Sequence, residues 1–131
     1  MILQRIALRA ALLCALLAPA PALAWEGAVS FYGSESGTRT ANGERFRPSG
    51  DTCAHWTLAF NTRLLVTDPS TGRNVVCRVN DRGPHPRLRR SVDLAHGLAV
   101  RLGIVRRGVI RARITILGPG VGRLHLADGR P

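Results

Sequence analysis

Lysine is absent from this 131-residue chain, whose 19 cationic side chains are all arginine, set against eight acids for a formal charge of +11. The absence itself carries little chemistry, because arginine supplies the same long-range field and differs from lysine only in local geometry. Any apolar run long enough to cross a bilayer is missing too. The longest, residues 10–18, is about half of the roughly 20 residues a spanning helix needs. Cysteine is limited to three residues, and no Cys-x-x-Cys or His-x-x-x-His spacing accompanies them, which argues against a zinc site. No metal or organic cofactor is expected. There is no internal repeat and no low-complexity block, and at this length a multidomain enzyme is excluded. With 45% apolar and 21% charged residues, the composition is that of a packed domain and not of a disordered one.

The first 24 residues read as a secretory signal peptide. Arg5 and Arg9 precede the apolar run, and Pro19-Ala20-Pro21 leads into Ala22-Leu23-Ala24, a small-x-small cleavage site. The mature chain is expected to begin at Trp25, with a net charge of +9 and no stable membrane insertion. Cys14 goes with the removed peptide. Cys53 and Cys77 are then an even pair in an exported chain, where oxidation is permitted, and a disulfide between them is expected.

Beyond Trp25, β-formers at 28–32 lie between Gly27 and Gly33 and predict a strand. A polar loop fills 33–52, longer than compact domains usually tolerate without a functional reason. Strands are predicted at 56–60 and 63–68, joined by a turn at Asn61, and at 74–80, where Val75, Cys77 and Val79 share one face. Asp93 reads as a helix N-cap, residues 94–102 as a short helix and Gly103 as its stop. Ile110, Ala112, Ile114 and Ile116 alternate with polar residues over 109–117, the period of a half-buried strand. The tail, 118–131, is expected to supply at most one further strand near 123–126. Short strands, frequent turns and one small helix point to a mainly β fold, a closed barrel of about six strands.

Three polar groups sit in loops where packing gives them no obvious work: Glu44, His55 and Asp81. Two carboxylates beside an imidazole suit general acid and base chemistry on a glycosidic bond, provided burial raises one pKa. Read structurally instead, Asp81 bonds its own Asp-Arg-Gly-Pro turn and Glu44 is a solvated loop charge.

The strings Val29-Ser30-Phe31-Tyr32-Gly33, Ala41-Asn42-Gly43-Glu44-Arg45-Phe46, Ala54-His55, Val75-Val76-Cys77-Arg78-Val79-Asn80-Asp81-Arg82-Gly83-Pro84 and Val92-Asp93-Leu94 occur in the order and spacing of the rare lipoprotein A (RlpA) family. The chain resembles that family over residues 30–117. The resemblance implies a six-stranded double-psi β-barrel over 25–117 and an exported lytic transglycosylase acting on peptidoglycan glycan strands, periplasmic or extracellular and associated with the cell wall. It also implies roles: Asp81 as acid and then base, Glu44 stabilising positive charge, and His55 orienting by hydrogen bond. Tyr32, Asn80, Arg82 and Asp93 are the expected substrate contacts. Cys53 and Cys77 depart from the family's small or aliphatic pair, and Arg87, Arg89 and Arg90 replace a smaller Gly-rich loop.

A second reading is a non-catalytic, expansin-like wall-binding or wall-loosening module, with Tyr32 and Trp56 as sugar-stacking platforms. Nucleic-acid binding, which the net charge alone would allow, is not expected, since the chain is exported and carries no nucleic-acid motif. The chain is expected to act as a monomer.

Overall fold

A computed structural model of the chain describes residues 23–119. The expected signal peptide up to residue 22 and the expected extra strand near 123–126 lie outside the described residues. Six strands and one helix follow in order: β1 (Ala24–Tyr32), β2 (Thr52–His55), β3 (Thr62–Thr67), β4 (Asn74–Asp81), β5 (Val92–Ala95), α1 (His96–Leu102) and β6 (Ile110–Pro119). They close into a barrel in the order β1-β5-β2-β4-β3-β6. The β1/β5 and β2/β4 pairs are parallel and the remaining four antiparallel. Closure leaves no strand edge unpaired, and the fold is the expected double-psi barrel with one short helix.

Alternation builds the core as the sequence predicts. Val75, Cys77 and Val79 of β4, Leu64 and Val66 of β3, and Ile110, Ala112 and Ile114 of β6 are buried, while Arg111 and Arg113 face out. Helix α1 adds Leu98, Ala99 and Leu102 to the same core and stops at Gly103, whose φ of 79° a side chain would strain. The Cys53–Cys77 disulfide joins β2 to β4 across a Cα separation of 5.7 Å. Closing a loop of 24 residues contributes about 3 kcal/mol on the chain-entropy model.

Two expectations are corrected. Residues 56–60 are a turn, and the strand lies earlier, at Thr52–His55. The chain bends because His55 Nδ1 accepts the backbone N–H groups of Thr57 and Leu58, which removes them from any ladder. Asp93 is not a helix cap. It lies within β5, whose four residues are all buried between β1 and β2, and α1 starts after Ala95 with no side-chain cap.

The register between β2 and β4 carries a bulge. Cys53 faces Val79 but Ala54 faces Asp81, so Asn80 is an extra residue on β4. Strict alternation would put Asp81 on the face of Cys77 and Val79, toward the core; the bulge moves it to the face of Ala54. Ala54 also pairs with Asp93 on β5, which pairs with Ser30 on β1. Ser30, Asp93, Ala54 and Asp81 thus form one row across four strands.

Candidate active site

Asp93, Ala54 and Asp81 of that row floor a groove of about 350 Å³, lined also by Tyr32, Arg82 and Arg90 among others. Small Ala54 separates the two carboxylates. At 4.7–4.9 Å per strand, their backbone positions are roughly 10 Å apart.

Asp81 is held by donors alone. Its Oδ1 accepts the backbone N–H groups of Ala41 and Arg82, each at 2.9 Å, and its Oδ2 accepts the Tyr32 hydroxyl at 3.2 Å. Tyr32 is itself fixed, stacked on Phe46 with ring centroids 4.7 Å apart. Burial, then the charge of Asp81, push the Tyr32 pKa above the ordinary tyrosine range, so its hydroxyl keeps its proton. With both its hydroxyl and a ring face engaged, Tyr32 positions Asp81 and is not an open stacking platform. In this arginine-rich chain, five of the seven carboxylates among the described residues pair with arginine, and only Asp81 and Glu35 do not.

Asp93 is 7% exposed. Its Oδ2 pairs with Arg90 Nη2 at 3.0 Å, while Oδ1 and the Arg90 Nε are buried without a hydrogen-bond partner. Burial raises the Asp93 pKa, and Arg90 offsets only part of that rise.

Glu44 lies beside the groove and does not line it. Arg78 grips both its oxygens at 2.7 Å, and Asn42 and Asn80 each donate an amide N–H to it. Arg78 above all holds its pKa down at about 2. The loop at 40–44 ties the two acidic groups together, with Ala41 N–H on Asp81 and Asn42 on Glu44. Asn80 is buried, its side-chain amide N–H on Glu44 and its backbone carbonyl accepting from the Asn42 backbone N–H, so it supports this loop from behind.

His55 does not line the groove either. Its ring sits edge-on to Trp25 with its Nδ1 taken up by the 57–58 turn, and burial lowers its pKa. Arg82 connects it to the groove: its guanidinium donates to the carbonyls of His55 and Leu58 and lies 3.9 Å from the centre of the Phe60 ring. Asp81, Tyr32, Arg82 and Asp93 therefore come together in the groove, with Glu44, Asn80 and His55 bracing its walls. No cluster of three or more His, Cys, Asp or Glu side chains suited to a metal occurs among the described residues.

Three contributors escaped sequence reasoning. Arg78 sits in the apolar string Val-Val-Cys-Arg-Val, and a half-buried arginine there demands an acid partner; that was the available signal. Arg90, three residues before Asp93, was visible only as part of a basic run. Ala54 was visible only beside His55 in a motif, with nothing to mark its place between the two carboxylates.

The family profile described as "Lytic transglycolase" matches residues 25–114. An RlpA protein of Nostoc sp. is 48% identical over 99 residues, covering 73% of this chain and 26% of the relative. The endolytic peptidoglycan transglycosylases RlpA of Haemophilus influenzae and Pseudomonas aeruginosa are 39% and 38% identical, over 70% and 71% of this chain and 32% and 27% of their own lengths. The chain thus spans about a third or less of these relatives. Among solved structures, a Streptomyces papain inhibitor superposes with a TM-score of 0.60 at 20% identity, over 73% of this chain and 96% of the inhibitor, a likeness of fold alone. With its strand order, its groove and its match along residues 25–114, this chain belongs to the RlpA-like lytic transglycosylase family of double-psi β-barrels.

Proposed function

We propose that the chain is an exported lytic transglycosylase that cuts peptidoglycan glycan strands without adding water, leaving 1,6-anhydro-N-acetylmuramic acid ends. The observation that carries this reading is Asp81, a carboxyl without an arginine partner in a groove whose other acid is buried across one intervening strand. The names of the RlpA relatives support the substrate.

In this scheme Asp81 gives a proton to the glycosidic oxygen as the bond to C1 of the muramic acid breaks. The C6 hydroxyl of the same sugar closes on C1, and its proton returns to Asp81, so the enzyme ends as it began. Asp93, with one oxygen on Arg90 and the other unpartnered beneath the groove, is placed to stabilise the positive charge that gathers on the ring as the bond breaks. Glu44, which sequence reasoning assigned to that charge, acts instead by fixing the loop whose Ala41 N–H aims Asp81. His55 and Arg82 position the opposite wall, and Tyr32 holds the second oxygen of Asp81.

We place the mature start at Trp25, which pairs with Ile114 in the barrel, and the protein as a monomer in the periplasm or at the cell wall. No helix among the described residues is long and apolar enough to cross a membrane. Mass spectrometry of sacculi digested with the protein tests the reading. Anhydro ends are the expected product. Ordinary reducing ends would make it a hydrolase, and absence of any product would favour the expansin-like alternative.

A further inference from the structure

Seven large apolar residues are exposed among those described; of these Leu88 lines the groove and Trp56 adjoins it through the ring of His85. Trp56 is 49% exposed, whereas Trp25, Phe31 and Phe60 pack against the core and Phe46 is buried. A tryptophan left half in water on a turn has no packing explanation.

The ring nevertheless has a fixed seat. Its turn is held by the two backbone N–H groups that His55 Nδ1 accepts. Arg82 joins that turn to the Asp81 loop, because its own backbone N–H binds Asp81 while its guanidinium binds the carbonyls of His55 and Leu58. On the groove side, Trp56 meets the ring of His85 edge-on, with centroids 5.8 Å apart at 62°. His85 lines the groove and is oriented in turn, its Nδ1 accepting the Arg87 N–H at 3.2 Å. An indole on a turn that hydrogen bonds tie to the loop of the reacting carboxyl, with one edge against His85, is partly placed before a ligand arrives, which lowers the ordering cost of binding.

We infer that Trp56, seated on His85, is a carbohydrate-stacking subsite that takes the apolar face of a hexosamine ring next to the one cleaved at Asp81. The chemistry favours a sugar. A pyranose presents C–H groups on one face and hydroxyls around its rim, which matches an indole beside a groove walled by Asp81, Arg82, Arg39 and Asp93. Leu88, 54% exposed on the turn that follows His85, extends the same apolar margin. The inference rests on the glycan reading above and adds a place on the strand that sets how the chain is gripped.

The test titrates peptide-free glycan strands into the whole mature chain bearing Asp81→Asn, so that the ligand is not consumed, and follows binding by calorimetry and tryptophan fluorescence. Adding Trp56→Ala is expected to weaken binding about ten-fold and to abolish most of the fluorescence change; Trp56→Phe keeps most of the affinity. Thermal unfolding of both variants should match the parent, since the ring contributes no core contact. Equal affinity for the parent and Trp56→Ala would overturn the subsite, as would a fluorescence change that persists without Trp56. A parent that binds strands through Trp56 while the active chain yields no anhydro ends would sink the transglycosylase reading and leave the subsite standing; a parent that binds no glycan would end both.

Discussion

Glu44 and Asp93 are both half of an arginine pair, yet they are opposites. Arg78 takes both oxygens of Glu44, two amides add to it, and the carboxyl stays ionised to a pKa of about 2. Asp93 has one oxygen on Arg90 and the other buried with no partner, and its pKa rises. A satisfied charge stabilises the fold and fixes its neighbours. An unsatisfied one destabilises the fold and persists where the field it makes is used. The contrast separates the wall of the site from its floor.

The largest effect should come from the group that lies between them. Asp81→Asn keeps the shape of the carboxyl but cannot return a proton, and turnover on sacculi should fall at least 10²-fold, and as much as about 10⁴-fold, with the melting temperature nearly unchanged. Asp93→Asn should lower turnover roughly 10- to 100-fold without loss of stability near neutral pH. The sign follows from the raised pKa: the folded state binds this proton more tightly than the unfolded state. The stability linked to it is therefore complete below the ordinary aspartate range and lost as pH rises through the higher folded value. Ionised Asp93 is the active form, so the acid limb of the kcat profile should lie above that range in the parent and vanish in Asp93→Asn. A variant that is fully active, or one that unfolds, would erase the contrast with Glu44.

Glu44→Gln should do the reverse, costing stability first. At a side chain 40% exposed, solvent screening limits the loss to about 1–2 kcal/mol, read by urea unfolding, with activity reduced less than in Asp93→Asn. Its depressed pKa means that the Glu44 contribution is present above the ordinary glutamate range and fades as pH falls toward 2. The smallest effect concerns neither acid. Binding to isolated cell wall should weaken with salt, since exposed arginines are screened within about 10 Å at 0.1 M; salt-independent retention would assign binding to the groove alone.

Strands β1, β3, β4 and β6 and the body of the helix were legible because each is long enough for alternation or helical period to show. Strands β2 and β5 were not. Four residues carry no period, and both strands are held by partners distant in sequence, β4 and β5 for the one and β1 and β2 for the other. Asp93 read as a cap because an acid just before a helix satisfies that pattern equally well; its burial is a tertiary fact. The site residues themselves were visible through motif order. Their division into groove and wall was not, because it depends on Arg78 reaching Glu44 across 34 residues and on where Ala54 falls in the register.

The extra residue in β4 makes the exposure of Asp81 a matter of register. Asp81 is out of phase with Cys77 and Val79 only because Asn80 is absorbed as the extra residue: an unbulged strand of the same sequence would turn the acid inward, whereas deleting Asn80 along with the bulge would leave it opposite Ala54. What such a deletion would remove is the brace behind the site, the Asn80 side-chain amide on Glu44 and its backbone carbonyl on Asn42, so the acid would keep its face and lose part of the loop that aims it. Counted from the cysteine of β4 the acid stands in the core phase, so it is the bulge, and not the spacing of residues along the chain, that turns it toward substrate.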